Sequence, residues 1–86
     1  MVPFSEVPVG TVFIADNITH VRIEPVYNEY GSSSNALAFS KYEKNLYDKD
    51  GKFVCRINSS LFWYSNKDLV QPDYKMTTID GTTRWH

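Results

Sequence analysis

The chain is poor in the residues that build covalent or metal-held frameworks. Its 86 residues include one cysteine, Cys55, and two histidines, His20 and His86. A single thiol excludes a disulfide within the chain, and so few soft ligands argue against a Cys/His zinc site. An excess of one charge is lacking too: nine basic and ten acidic residues are interspersed, for a net charge of −1. That balance has neither the basic surplus of a nucleic-acid binder nor the acidic run of a nucleic-acid mimic. No stretch approaches the ~20 apolar residues of a membrane-spanning helix, and the first residues lack the basic and apolar regions of a secretion signal. Asn17-Ile18-Thr19 and Asn58-Ser59-Ser60 match the glycosylation sequon, and without a signal both are read as chance matches. The expectation is a cytoplasmic protein with no membrane partner and no cofactor.

What is abundant is aromatic. Five Phe, six Tyr and two Trp make up 15% of the chain, which suits a small barrel or sandwich whose core holds few aliphatics. A chain this short buries only about 60 to 65% of its unfolded surface, which leaves little room for a deep, dry catalytic cavity. The expected fold is all-β, with five to seven short antiparallel strands.

Pro3 to Val7 reads as one helical or 3₁₀ turn, with Ser5 placed to cap free amides. Pro8 ends that turn and Gly10 bends the chain into a first strand, Thr11 to Ala15, with Val12 and Ile14 on one face and Phe13 on the other. After an Asp16-Asn17 turn, Ile18 to Glu24 alternate: Val21 and Ile23 point one way, His20, Arg22 and Glu24 the other. Pro25 marks an edge or a bend. Asn28 to Asn35 gives the longest loop signal and reads as mobile. Ala36 to Tyr47 is extended, with Leu37 and Phe39 on one face. Asp48-Lys49-Asp50-Gly51 is a tight hairpin loop of the type I plus bulge kind. Phe53, Cys55 and Ile57 are then expected inward, and Val54 and Arg56 outward. Leu61 to Tyr64 forms a buried short strand, Ser65 to Asp68 a capped turn, and Leu69 to Pro72 closes the compact part. Residues 1–72 are therefore read as the core and 73–86 as a C-terminal hairpin turning at Asp80-Gly81, with Met76 facing Trp85 and Thr77 facing Arg84. No internal repeat, heptad or long helix stands out.

Val7, Pro8, Val9, Gly10 and Phe13, then Val21 and Ile23, Asn35 and Ala36, and Asp68, Val70 and Pro72 carry a resemblance. Over roughly the first 72 residues the chain resembles small phage-encoded proteins that open on Leu/Val-Pro-Val-Gly-x-x-Phe and form SH3-like β-barrels. The resemblance implies an SH3-like fold and a phage-type origin, hence a bacterial host cell as the setting. Such proteins mostly have no established biochemical role. The stretch from Tyr42 to Lys52 and everything after Pro72 depart from the pattern.

Candidate sites are few. Counting from Asp48, a calcium loop of the EF-hand type needs Gly at position 6 and Glu at position 12, where this chain has Phe53 and Ser59. His20 beside Arg22 and Glu24 has no paired nucleophile, so the expectation is an exposed strand face of mixed charge. Its replacement by Ala is expected to leave function intact. Cys55, alternating with Phe53 and Ile57, reads as a small core residue. Nothing in the spacing points to an enzyme. In "SLFWYSN" both faces of a strand are large and apolar, so Phe62 and Tyr64 are expected to need a cover, supplied by the C-terminal hairpin, a partner protein or a second copy.

The binding residues expected on these grounds are Phe62, Tyr64, Trp85, Arg84, Tyr30 and Arg56. The favoured function is a non-enzymatic phage accessory protein that binds a host or phage protein, as an inhibitor of a host enzyme or defence system. Aromatics interleaved with Lys41, Lys44, Arg56 and Arg84 allow a second reading, a binder of single-stranded nucleic acid or of a small nucleotide signal across a homo-oligomer interface. A minor structural component of the virion is the third.

Overall fold

In the computed structural model, the backbone is described for residues 1–79 and 82–85, and side chains for residues 1–74. The expected Asp80-Gly81 turn lies outside the described residues. The chain is all-β, as expected: β1 (Val2–Pro3), β2 (Thr11–Ala15), β3 (Ile18–Tyr27), β4 (Ser33–Tyr47), β5 (Phe53–Phe62), β6 (Leu69–Ile79) and β7 (Thr82–Trp85). One 3₁₀ turn, Phe4–Glu6, is the only helical piece among the described residues. None of the described helices is long and apolar enough to cross a membrane. The strands pair antiparallel in the order β1-β6-β2-β3-β4-β5, with β7 on β6. Four of them are longer than expected, β3 and β5 at 10 residues, β4 at 15 and β6 at 11, and β5 takes in Leu61 and Phe62, so Leu61 to Tyr64 is not a separate strand.

Turn chemistry sets the path. Asp16 and Asn17 take φ of 52° and 61°, the left-handed pair that a two-residue hairpin turn requires and that these residue types tolerate best after glycine. Ala15 then faces Ile18, and Phe13 faces His20. The β3–β4 register slips between Arg22 and Val26, where Glu24 and Pro25 sit, so the proline occupies an irregularity rather than a regular ladder position. The Asn28 segment is not a long loop. The Asn28 amide donates to the Ser32 carbonyl at 2.9 Å and the Asn28 side chain accepts from the Tyr30 and Ser32 amides, closing a five-residue turn.

Asp48 to Lys52 repeats that turn bond for bond, with Asp48 accepting from the Asp50 and Lys52 amides. Tyr-Asn-x-x-Gly at residue 27 and Tyr-Asp-x-x-Gly at residue 47 are thus one motif used twice, too short to register as a sequence repeat. Gly31 and Gly51, at φ of 85° and 81°, take the left-handed position that closes each turn.

β4 bends between Phe39 and Glu43, where it spans four positions while β5 advances one. Beyond the bend it returns toward β3, so that Tyr27 pairs with Ser33 and again with Tyr47. Leu46 is buried in this returning half, opposite Cys55. Cys55 and Ile57 are half-buried, close to the inward orientation expected, whereas Phe53 is 60% exposed because it sits where the ribbon ends.

The core gathers Phe4, Val7, Phe13, Ala36 and Val70, with Val2, Ala15, Phe62 and Tyr64 packed against it. Its lid is the N-terminal 3₁₀ turn, which does not rely on a Ser5 side-chain cap. The Phe4 amide donates to the Asp68 carbonyl at 2.7 Å and the Ser5 amide to Asn66. One Arg22 nitrogen donates to both the Phe4 and the Val7 carbonyls at 2.7 Å, and the guanidinium carbon lies 4.5 Å from the Phe4 ring centroid. Opposite the turn, buried Asn35 exchanges two hydrogen bonds with the Tyr64 backbone, 2.8 and 2.9 Å, which continues the β4–β5 pairing past the end of β5.

The C-terminal hairpin has the expected register, Met76 opposite Trp85 and Thr77 opposite Arg84. Its first strand is a continuation of β6, and Thr77 pairs with Thr11 of β2. The hairpin therefore extends the sheet.

Replacing Arg22 by Met keeps the apolar stem over Phe4 and removes both charge-assisted bonds, leaving the Val7 carbonyl without that donor while the Phe4 carbonyl keeps only the Val7 amide. A loss of about 2–4 kcal/mol is expected. It would appear in urea denaturation as a lower midpoint with an unchanged m-value.

Candidate binding groove

The sidedness of β3 is the main correction to the sequence reading. His20 is 1% exposed, not part of a solvated face. Its ring stacks on Phe13 at 5.0 Å between centroids and 8° between planes, and meets Phe62 and Tyr64 edge-on. Arg22, on the same side of the strand, reaches the lid. The reason is the ladder: Phe13 and His20 are direct partners, so whichever face holds Phe13 holds His20 too.

Tyr64 Oη lies 3.0 Å from His20 Nε2, while Nδ1 is buried without a partner in hydrogen-bonding geometry. Burial holds the imidazole below its ordinary pKa, and the Ile18 backbone and the Asp16 charge oppose that shift more weakly. Burial also raises the Tyr64 phenol, helped by Asp16 and Asp68. With His20 neutral and Tyr64 protonated, the phenol donates to Nε2 and the ring proton sits on Nδ1. The pair packs inside the core as a hydrogen-bonded couple.

Phe62 and Tyr64 are likewise core residues. Phe4, Phe13 and His20, supplied by the N-terminal lid and the hairpin β2–β3, pack against them, and the expected cover by the C-terminal hairpin rests on side chains outside the described residues. Pairing instead leaves the other side of the sheet apolar: Val12 faces Val21, Val21 faces Leu37, and Leu37 faces Leu61. Trp63, next along that side and just past β5, is 58% exposed.

Trp63 stands on the rim of an open groove of about 550 Å³, together with Ile14, Leu69, Asp16 and Asp68. Ile14, Trp63 and Leu69 are all exposed, and Met1, with its α-amino group, lines the groove beside them. Tyr64 forms part of the wall, so the groove touches the core directly. Asp68 is held by the Ser65 amide at 2.7 Å. A second, shallower concavity shares Ile14 and Gln71 with the first and continues the surface to Pro72 and Tyr74. The result is a continuous surface on which exposed apolar side chains alternate with polar ones, the carboxylates of Asp16 and Asp68 among them.

The other expected binding residues are dispersed. Tyr30 is 84% exposed on the turn beyond the far end of β3 and lines a separate concavity of about 420 Å³ between the twin turns. Arg56 is committed to Asn45 and Glu43 at 3.0 and 3.3 Å on the surface of the β4–β5 ribbon. Arg84 and Trp85 lie in β7, and their side chains fall outside the described residues. Asp48 serves its own turn, and no group of three or more His, Cys, Asp or Glu placed for a metal is found among the described residues. The sequence signal for the groove was present in the two-sided run at Leu61–Tyr64; what misled was the choice of which side lay outward.

No protein-family model matches the chain, and neither a curated protein nor a solved structure shows significant similarity to it.

The depressed His20 pKa has a stability consequence. The unfolded chain takes up a proton near pH 6.5, and the folded chain does so only at lower pH. Stability contributed by neutral His20 is complete above pH 6.5 and declines as pH falls toward the folded-state pKa. Chemical denaturation between pH 7 and 5 should show it, with a slope bounded by about 1.4 kcal/mol per pH unit for one proton. His20→Phe should flatten the profile in that window.

Proposed function

We propose that this chain is a non-enzymatic accessory protein that acts by binding another protein through the groove at Trp63. The observation that carries the reading is the convergence of exposed Trp63, Ile14 and Leu69 with Asp16 and Asp68 on one concave track. Large exposed apolar side chains beside one another are uncommon on a surface with no partner, and Trp is the commonest anchor of protein interfaces. The chemistry defines the occupant as an extended segment with one or two basic side chains among aliphatic ones. Its cations would sit near Asp16 and Asp68, and its apolar residues along Trp63, Ile14 and Leu69. The resemblance to phage-encoded barrels supports a host or viral protein as the owner of that segment, with inhibition of a host enzyme or defence system as the outcome.

Selection of peptides from a random library on the immobilised protein tests this. Enrichment of Lys or Arg flanked by aliphatics is expected. Trp63→Ala should weaken the selected peptides at least tenfold, and Asp16→Asn, which removes the charge and keeps a residue suited to the left-handed turn, should weaken them severalfold, with melting temperatures close to that of the parent. Selected peptides that ignore both substitutions would overturn the assignment of the groove.

A further inference from the structure

The strand β5 ends the pairing order of the sheet. Its ten residues pair with β4 on one side, and among the described residues no strand pairs with the other. Such an edge presents a row of unmatched amides and carbonyls, and proteins ordinarily protect it with proline, inward charges, bulges or brevity. Phe53–Phe62 has no proline and no glycine, and one charged residue, Arg56. Arg56 is turned along its own ribbon, to Asn45 and Glu43 of β4. A bulge at Val54, where β5 spans two positions against one of β4, interrupts the start of the edge, and from Cys55 to Phe62 it is long and carries no further guard.

We infer that β5 is a dimerisation edge, paired antiparallel with β5 of a second copy about a two-fold axis through Ile57. A two-fold relating antiparallel strands runs perpendicular to the sheet, so only residues on the same face of the strand can meet. The order of residues along β5 then selects the register. Centred on Ile57, the axis sets Cys55 against Ser59 and Ile57 against its copy on one face. The other face sets Arg56 against Asn58. The apolar Ile57 side chains meet at the centre, Cys55 and Ser59 meet beside them, and each guanidinium faces a carboxamide. Centring the axis one residue earlier sets Arg56 against its own copy, which like-charge repulsion disfavours.

The neighbouring exposure fits the same occupant. Phe53 and Val54 are 60% and 55% exposed at one end of the strand, and Leu61 is half-buried at the other. Pairing brings the exposed end of each copy to the partner's half-buried end. The strand is therefore a better complement of itself than of a peptide with no such pattern. The groove at Trp63 is a separate surface, and dimerisation stands or falls without it.

Sedimentation velocity across a concentration series tests the inference, with Asn58→Lys as the first variant. Asn58 is exposed on β5, so the substitution spares the fold. In the dimer it would set the introduced lysine against Arg56 of the second copy. The parent is expected to be a concentration-dependent dimer, with Asn58→Lys at least tenfold weaker. Adding Arg56→Glu to Asn58→Lys should restore association by turning the repulsive pair into an attractive one. A parent that stays monomeric at hundreds of micromolar would overturn the proposal, as would a dimer indifferent to Asn58→Lys. Loss without recovery in the double variant would overturn the Ile57-centred register.

Discussion

One arginine makes the inner face of the sheet usable. Arg22 holds two carbonyls of the N-terminal turn and lies over the Phe4 ring, so the turn is pinned to β3 as a lid. Without a lid, the ring cluster of Phe13, His20, Phe62 and Tyr64 would be one side of a curved sheet open to water. A domain this small has no second sheet or helix layer to supply that cover. The charge that an alternating strand would ordinarily give to solvent instead binds the Val7 carbonyl and adds a second donor to the Phe4 carbonyl, which also accepts from the Val7 amide.

That solution places polar side chains where alternation by hydropathy would put apolar ones. His20 and Arg22 face the core while Val21 and Ile23 face the other way. The sheet consequently has two apolar sides, one closed by the lid and one bearing the row Val12, Val21, Leu37 and Leu61. Trp63 and Ile14 belong to the second side, while Ala15 and Tyr64 bring the first side to the same groove. Both sides are set by one pairing register, and a one-residue slip would exchange them.

Irregularities in the strands create the remaining features. The slip at Glu24-Pro25 and the bend between Phe39 and Glu43 let β4 curl back to Tyr27, which brings the twin turns side by side. The same curl carries β5 to the end of the pairing order. An uncurled β4 would leave the half of β5 around Cys55 and Ile57 without the cover it now has.

Much of this architecture was legible in the sequence because it is local. The turn at Pro3–Val7, the Asp16-Asn17 turn, the bulged turn at Asp48-Gly51, the interruption at Pro25, and the facing of Met76 with Trp85 and Thr77 with Arg84 follow from backbone preferences of a few adjacent residues. The all-β class follows from their spacing. Which side of each strand is inside does not follow, because alternation at Ile18–Glu24 and Leu61–Tyr64 offers two large faces and hydropathy alone prefers Val21 and Ile23. That choice was decided by contacts far apart in the chain, Arg22 to Phe4 and Val7, His20 to Tyr64, and Asn35 to Tyr64. Each becomes favourable only once the partner is already in place, which is why tertiary structure alone could set the face, and with it the groove.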